Sequence, residues 1–272
     1  MKLIFENWRS FLNEATSVPQ KHIVAFKDAI TKSNFWTLPH DIEEVDLVSD
    51  EELSTPAVEV LMDHLNEAAR KINTDIYFLL TVTDEEEYAL GPDSVYPGYP
   101  DNWLMRAAYT GPQKGYHVIT MSFRPLSEDF ETDEFDPNNL IKILSQTLNH
   151  ELVHYYQLKK QAANKGISDE EAWQELLKDP KQLPQDDTRA GYLKLHNEID
   201  AYAYEAAEQL LDKYSKEEAM QIVKSLTSNN LTSFPEVSSV LSDYIKTFQN
   251  NSRILNNFRK KLYRQLEDRA TI

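Results

Sequence analysis

The chain has no cysteine, so neither a disulfide nor a thiolate-ligated metal site can form. An intracellular or virion setting is expected rather than that of a small secreted domain. Glycine is nearly as scarce, at six residues in 272. Neither GxxxxGK(S/T) nor GxGxxG occurs, which removes the common phosphate-cradling loops. No run of 18 apolar residues exists, so no transmembrane helix is expected. The apolar stretch at the N-terminus is broken by Glu6, Asn7 and Arg9 and lacks the form of a secretory signal. Basic residues are few as well. Only 28 Lys and Arg stand against 45 Asp and Glu, a net charge of −17. Such a surface repels phosphate, so no nucleic-acid partner and no anionic-membrane partner is expected. Core-forming residues are ample: 41% of the chain is hydrophobic and 11% aromatic, enough for one large domain or two small ones.

Against this background one stretch stands out, Asn149-His150-Glu151-Leu152-Val153-His154-Tyr155-Tyr156. It contains His-Glu-x-x-His. On a helix, residues four apart share a face one turn apart, so His150 and His154 can hold one Zn²⁺ between them. Glu151 adjoins the first ligand and has the chemistry of a general base toward a water. The surrounding sequence predicts the helix this requires. Asn138 and Asn139, after Pro137, are good N-caps. Leu140, Ile143, Leu144, Leu148, Leu152 and Tyr155 recur at helical spacing. Asn164-Lys165-Gly166 is a stop. The helix is expected over about 139–164, with the motif in its middle.

The rest of the chain divides into a mixed N-terminal part and a helical C-terminal part. Helices are expected over 20–33 and from Ser54-Thr55-Pro56 to about Ile72. Strands are expected over 75–83, 103–110 and 116–123, the second ending at a Gly111-Pro112 turn. Ser168-Asp169-Glu170-Glu171 and Ser215-Lys216-Glu217-Glu218 each read as a capping box opening a helix. Further helices are expected near 190–213, 236–249 and 252–267. The fold class is α+β, predominantly helical, with a small sheet packed on the motif helix and a helical C-terminal half. Residues 1–14 form a short amphipathic unit, with Ile4, Trp8, Phe11 and Leu12 on one stripe. Residues 15–272 are expected to form a single domain, about 15–136 mixed and 137–272 helical.

Two family resemblances add to this reading. His150-Glu151-x-x-His154 followed by Asn197-Glu198-Ile199-Asp200-Ala201 resembles the paired helices of gluzincin-type zinc metallopeptidases. The metzincin pattern is absent, because Gln157 and Lys160 stand where its glycine and third histidine would be. The gluzincin resemblance covers about residues 140–210. It implies Zn²⁺ held by His150, His154 and Glu198, Glu151 as catalytic base, and hydrolysis of a peptide bond in a protein or peptide substrate. It also implies an edge strand near 116–123 that pairs with the substrate. His196, Asp200 and Glu205 compete with Glu198 as third ligand. Glu205, seven residues on, faces the same way as Glu198 and is the better candidate for supporting it. Tyr202, Tyr155, Tyr156, Tyr192 and Tyr204 are rival oxyanion donors, and His117 is a candidate ligand or oxyanion donor, although a lone strand histidine is more often neither. Residues 1–14 resemble the capsid-targeting peptides of T4-like bacteriophage internal head proteins, with Leu12-Asn13-Glu14 at the cleavage point. That implies a phage head or scaffold partner and a virion or host-cytoplasmic location. The alternative expectation is a virion structural or binding protein whose zinc site is vestigial or purely structural.

Overall fold

The computed structural model describes residues 18–38, 55–82, 104–124, 137–179, 189–227, 237–248 and 252–269. The targeting-like peptide 1–14, the acidic quartet 84–87, the loop 91–100 and the polar loop before residue 189 lie outside them. The fold is α+β and mostly helical, with one small mixed sheet. Among the described residues, no helix is long and apolar enough to cross a membrane. The chain forms two compact units, Val18–Tyr155 with Ile167–Trp173, and Tyr156–Gly166 with Gln174–Ile272. The boundary falls inside one helix.

In the first unit, α1 (Gln20–Ser33) and α2 (Pro56–Lys71) precede the sheet. Thr55 caps α2 by accepting from the Val58 N–H, and Pro56 fills the first helical position, where no donor is needed. Ala57, Val58, Leu61, Leu65, Ala68 and Ala69 of α2 are buried at helical spacing. Strand β1 (Ile76–Val82) turns Ile76, Phe78, Leu80 and Val82 inward. Phe78 meets Phe26 of α1 edge to face at 5.0 Å. The Asn66 side chain of α2 brackets Phe78, accepting from its N–H at 2.8 Å and donating to its C=O at 3.0 Å. An edge strand's open main-chain groups are thereby met by an amide of matching shape.

The sheet order is β1-β3-β2, with β1 and β3 (Tyr116–Arg124) parallel and β2 (Leu104–Gln113) antiparallel to β3. Strand 116–124 is therefore central, not the edge strand the gluzincin resemblance implies. The edges among the described residues are β1 and β2. Strand β2 also runs through Gly111-Pro112, where the sequence suggested a turn. A register shift between Tyr109 and Gly111 accommodates Gly111 at φ +86°, and an edge strand tolerates a proline. The turn falls instead at Lys114-Gly115, both with positive φ.

Helix α3 (Pro137–Lys165) carries the motif and passes from the first unit to the second at Tyr155/Tyr156. It starts at Pro137 itself, which suits a first helical turn, so Asn138 and Asn139 lie inside the helix rather than capping it. Helix α4 (Asp169–Lys178) opens with the expected box. Ser168 Oγ accepts from the Glu171 N–H at 3.2 Å, and the Ser168 N–H donates to the Glu171 carboxylate at 2.9 Å.

The second unit is built on α6 (His196–Leu211), against which α7 (Lys216–Ser225), α8 (Ser239–Phe248) and α9 (Ser252–Asp268) pack. Ala203, Ala206 and Ala207 of α6 are fully buried and let these neighbours approach closely. The rings of Tyr244 and Phe258 stack at 3.8 Å between α8 and α9. The single helix expected over 190–213 is two, α5 (Arg189–Leu193) and α6, separated by an extended Leu195. The Tyr244 hydroxyl donates to the Leu193 carbonyl at 3.1 Å, taking an acceptor that a continuous helix would have used internally.

Gly111 yields a direct test of the first unit. A Cβ built there would sit 2.4 Å from the indole ring of Trp173, whereas at Gly115 it would meet nothing within 4 Å. Gly111→Ala combines left-handed strain with a clash against a packed ring and is expected to destabilise by roughly 2–4 kcal/mol. Gly115→Ala carries only the backbone part, about 1–2 kcal/mol. Urea unfolding of both variants measures the difference.

Candidate metal centre

His150 and His154 stand on one face of α3, one turn apart, with ring centroids 5.0 Å apart and planes crossed at 74°. His150 is buried and His154 half-buried. Glu151, between them in sequence, is also buried, at 7% exposure. A buried carboxylate needs a donor. Glu151 Oε2 accepts from the Tyr109 N–H on β2 at 2.7 Å. The register shift in β2 lies at this residue, and such irregularities re-aim a strand locally.

In the second unit, Glu198 occupies the first turn of α6, where the helix dipole favours an anion. It is buried, at 4% exposure, and Asn197 Nδ2 donates to its Oε1 at 3.0 Å. The Gln157 amide, on the part of α3 that belongs to this unit, donates to the Asn197 carbonyl at 3.0 Å. The break at Leu195 is what starts a new helix here, and a single helix over 190–213 would have denied Glu198 its first-turn position.

The rival ligands take other roles. His196 is exposed. Asp200 is buried against the Lys261 ammonium, at 2.8 Å and 3.0 Å from its two oxygens. Glu205 accepts from the Gln209 amide one turn on, at 3.1 Å. Tyr202 lies in the helical core, edge to face with Tyr192 and Tyr244. Tyr204 sits under the Arg269 guanidinium at 4.2 Å, and burial raises its phenol well above the ordinary range. Tyr155 donates to Asp75 Oδ1 at 2.6 Å. His117 is buried, edge to face with Tyr155, and bonds Tyr109 and Asp169.

Two sets of side chains among the described residues have the composition of a metal site. One is the expected set, His150, His154 and Glu198, with the histidines in the first unit and the glutamate in the second. The other is Asp75, His117 and Asp169, wholly within the first unit, and sequence reasoning missed it. Its members are 42 and 52 residues apart in the chain, and only the parallel pairing of β1 with β3 brings the first two together. No protein-family model, no curated protein and no solved structure matches the chain.

The Asp200–Lys261 pair is a check on how the second unit is held. Removing one member of a buried pair strands the other charge. Asp200→Ala is expected to cost roughly 3–5 kcal/mol, much of it recovered in Asp200→Ala/Lys261→Met. Thermal unfolding of the single and double variants reads both.

Proposed function

We propose that the chain is a zinc-dependent endopeptidase of gluzincin type, with His150, His154 and Glu198 as ligands and Glu151 as general base. The observation that carries this reading is the buried carboxylate of Glu151, fixed by a main-chain N–H beside two imidazoles one turn apart. Support for Glu198 comes from Gln157. It lies three residues beyond His154 on an unbroken helix, nearly one turn, and bonds the carbonyl of the residue next to Glu198.

The donor set fits the metal. Two imidazoles and one carboxylate are the three-ligand set of many catalytic zinc sites and leave a coordination position for water. When bound, the ion supplies a Lewis acid for a carbonyl and a water whose pKa falls toward about 7. The chain's own part is proton traffic and alignment. Glu151 accepts the proton of the attacking water and delivers it to the departing amine. The Tyr109 N–H holds one oxygen of that carboxylate, so its orientation is set before substrate arrives. Strand β2, an edge of the sheet among the described residues, offers main-chain groups along which an extended peptide can align. The resemblance of residues 1–14 to capsid-targeting peptides adds a route: packaging in a phage head and action on a host protein. The virion-protein alternative shares the zinc and lacks turnover.

Metal analysis and peptide cleavage test the proposal together. His150→Ala and Glu198→Ala should each lose one zinc equivalent relative to wild type. Glu151→Gln should keep that zinc and lose roughly 10²–10⁴-fold in turnover on a denatured-protein or peptide-library substrate. Undiminished turnover in zinc-loaded Glu151→Gln would sink the mechanism. Zinc without turnover in any variant would leave the binding-protein alternative.

A further inference from the structure

The second acid–histidine group lies away from the His-Glu-x-x-His motif in sequence and has its own logic. His117 is the second residue of β3, and its N–H donates to the Asp75 carbonyl at 2.8 Å, which fixes both residues at the start of the parallel pair. Its Nε2 lies 3.0 Å from Asp169 Oδ2 at the N-terminus of α4 and 3.7 Å from Asp75 Oδ2. One ligand atom from each residue lies within 4.8 Å of the other two. The imidazole is 3% exposed, and the carboxylates are 37% and 24% exposed, so the group opens toward solvent on its acid side.

A proton on Nε2 would serve Asp169 and leave Asp75 Oδ2 beyond hydrogen-bond reach. A divalent cation among the three can be met by all of them at once. The outer contacts suit an ion. The Tyr155 hydroxyl holds Asp75 Oδ1, and the Tyr109 hydroxyl meets His117 Nδ1 at 2.6 Å. In metal sites the second nitrogen of a ligating histidine and the second oxygen of a ligating carboxylate are typically oriented in this way. Tyr109 can accept from Nδ1–H, which frees Nε2 for a metal.

We propose that Asp75, His117 and Asp169 form a second, structural metal site for a first-row transition dication such as Zn²⁺. One imidazole with two carboxylates favours that class over Ca²⁺, which takes six to eight oxygens. The ion ties the start of α4 to the residue just before β1 and to the second residue of β3. This inference stands independently of the ligands assigned to the catalytic site.

The test is zinc content on full-length protein stripped with chelator, reloaded with micromolar zinc and desalted. His150→Ala/His154→Ala should retain one zinc per chain. Adding Asp169→Asn to that variant should weaken zinc binding by roughly tenfold or more. Circular dichroism checks that each variant is folded. Asp75→Asn, which keeps the Tyr155 contact, is the substitute if the Asp169 variant is not. No zinc in the double-histidine variant, or equal zinc with and without Asp169→Asn, overturns the proposal and makes this a proton-bridged histidine. Zinc that survives His150→Ala/His154→Ala at the wild-type level and disappears with Asp169→Asn would support this site while removing the catalytic ligands proposed above.

Discussion

A carboxylate buried on a helix has to be met by a donor, and at Glu151 that donor is the main-chain N–H of Tyr109. Much of the first unit follows from this one bond. Strand β2 must present an amide at that point, and its register shift lies there. The shift places Gly111 at positive φ, and the space its missing side chain leaves is filled by the Trp173 ring. That ring also meets Tyr109 edge to face at 5.5 Å. Tyr109 therefore has its ring held by Trp173 and His117 and its N–H committed to Glu151. The carboxylate is positioned by backbone rather than by a flexible side chain, which holds it in one orientation.

The second unit solves a related problem on α6. Glu198 and Asp200 are both buried, two residues apart, so they face roughly 200° apart around the helix. They cannot share a partner. Asp200 looks into the helical core and is neutralised by Lys261 of α9. Glu198 sits in the opening turn, with the dipole and the Asn197 amide on its side. The break at Leu195 sets this arrangement, because it puts a helix start where the sequence pattern alone would run a helix through. Two buried acids on one short helix are sustained by partners of different kinds. That separation removes Asp200 from the ligand competition.

The helices were legible because their signals are local. Thr55-Pro56, Ser168-x-x-Glu171 and Ser215-x-x-Glu218 each close within one turn, and all three begin helices where the sequence placed them. The His150/His154 pair was legible for the same reason: its spacing is a property of one helix. What the sequence misread depends on distant contacts. The α5–α6 break is held by Tyr244, 51 residues from Leu193. The passage of β2 through Gly111-Pro112 depends on its being an edge strand and on a tryptophan 62 residues away. The placement of β3 in the centre depends on β1 pairing with it across the intervening β2, which no local period encodes.

Tyr109 is the residue at which Glu151 and the group of Asp75, His117 and Asp169 meet within the first unit. Its hydroxyl is bound to His117 Nδ1, and its main-chain N–H to Glu151. Packing couples these ends, since the phenol ring lies near-parallel to the imidazole while Trp173 and Tyr155 close on it edge to face. A residue clamped at its ring has little freedom at its amide. An ion among Asp75, His117 and Asp169 would fix the imidazole and, through it, the ring whose backbone orients Glu151. The coupling runs through rigid contacts within one unit. Loosening the histidine end should therefore disturb the alignment of the Glu151 carboxylate, the base in the proposed mechanism, before it disturbs the His150/His154 pair. A structural ion and a general base would then share one tyrosine, with the ion holding the ring and the ring's own backbone holding the carboxylate.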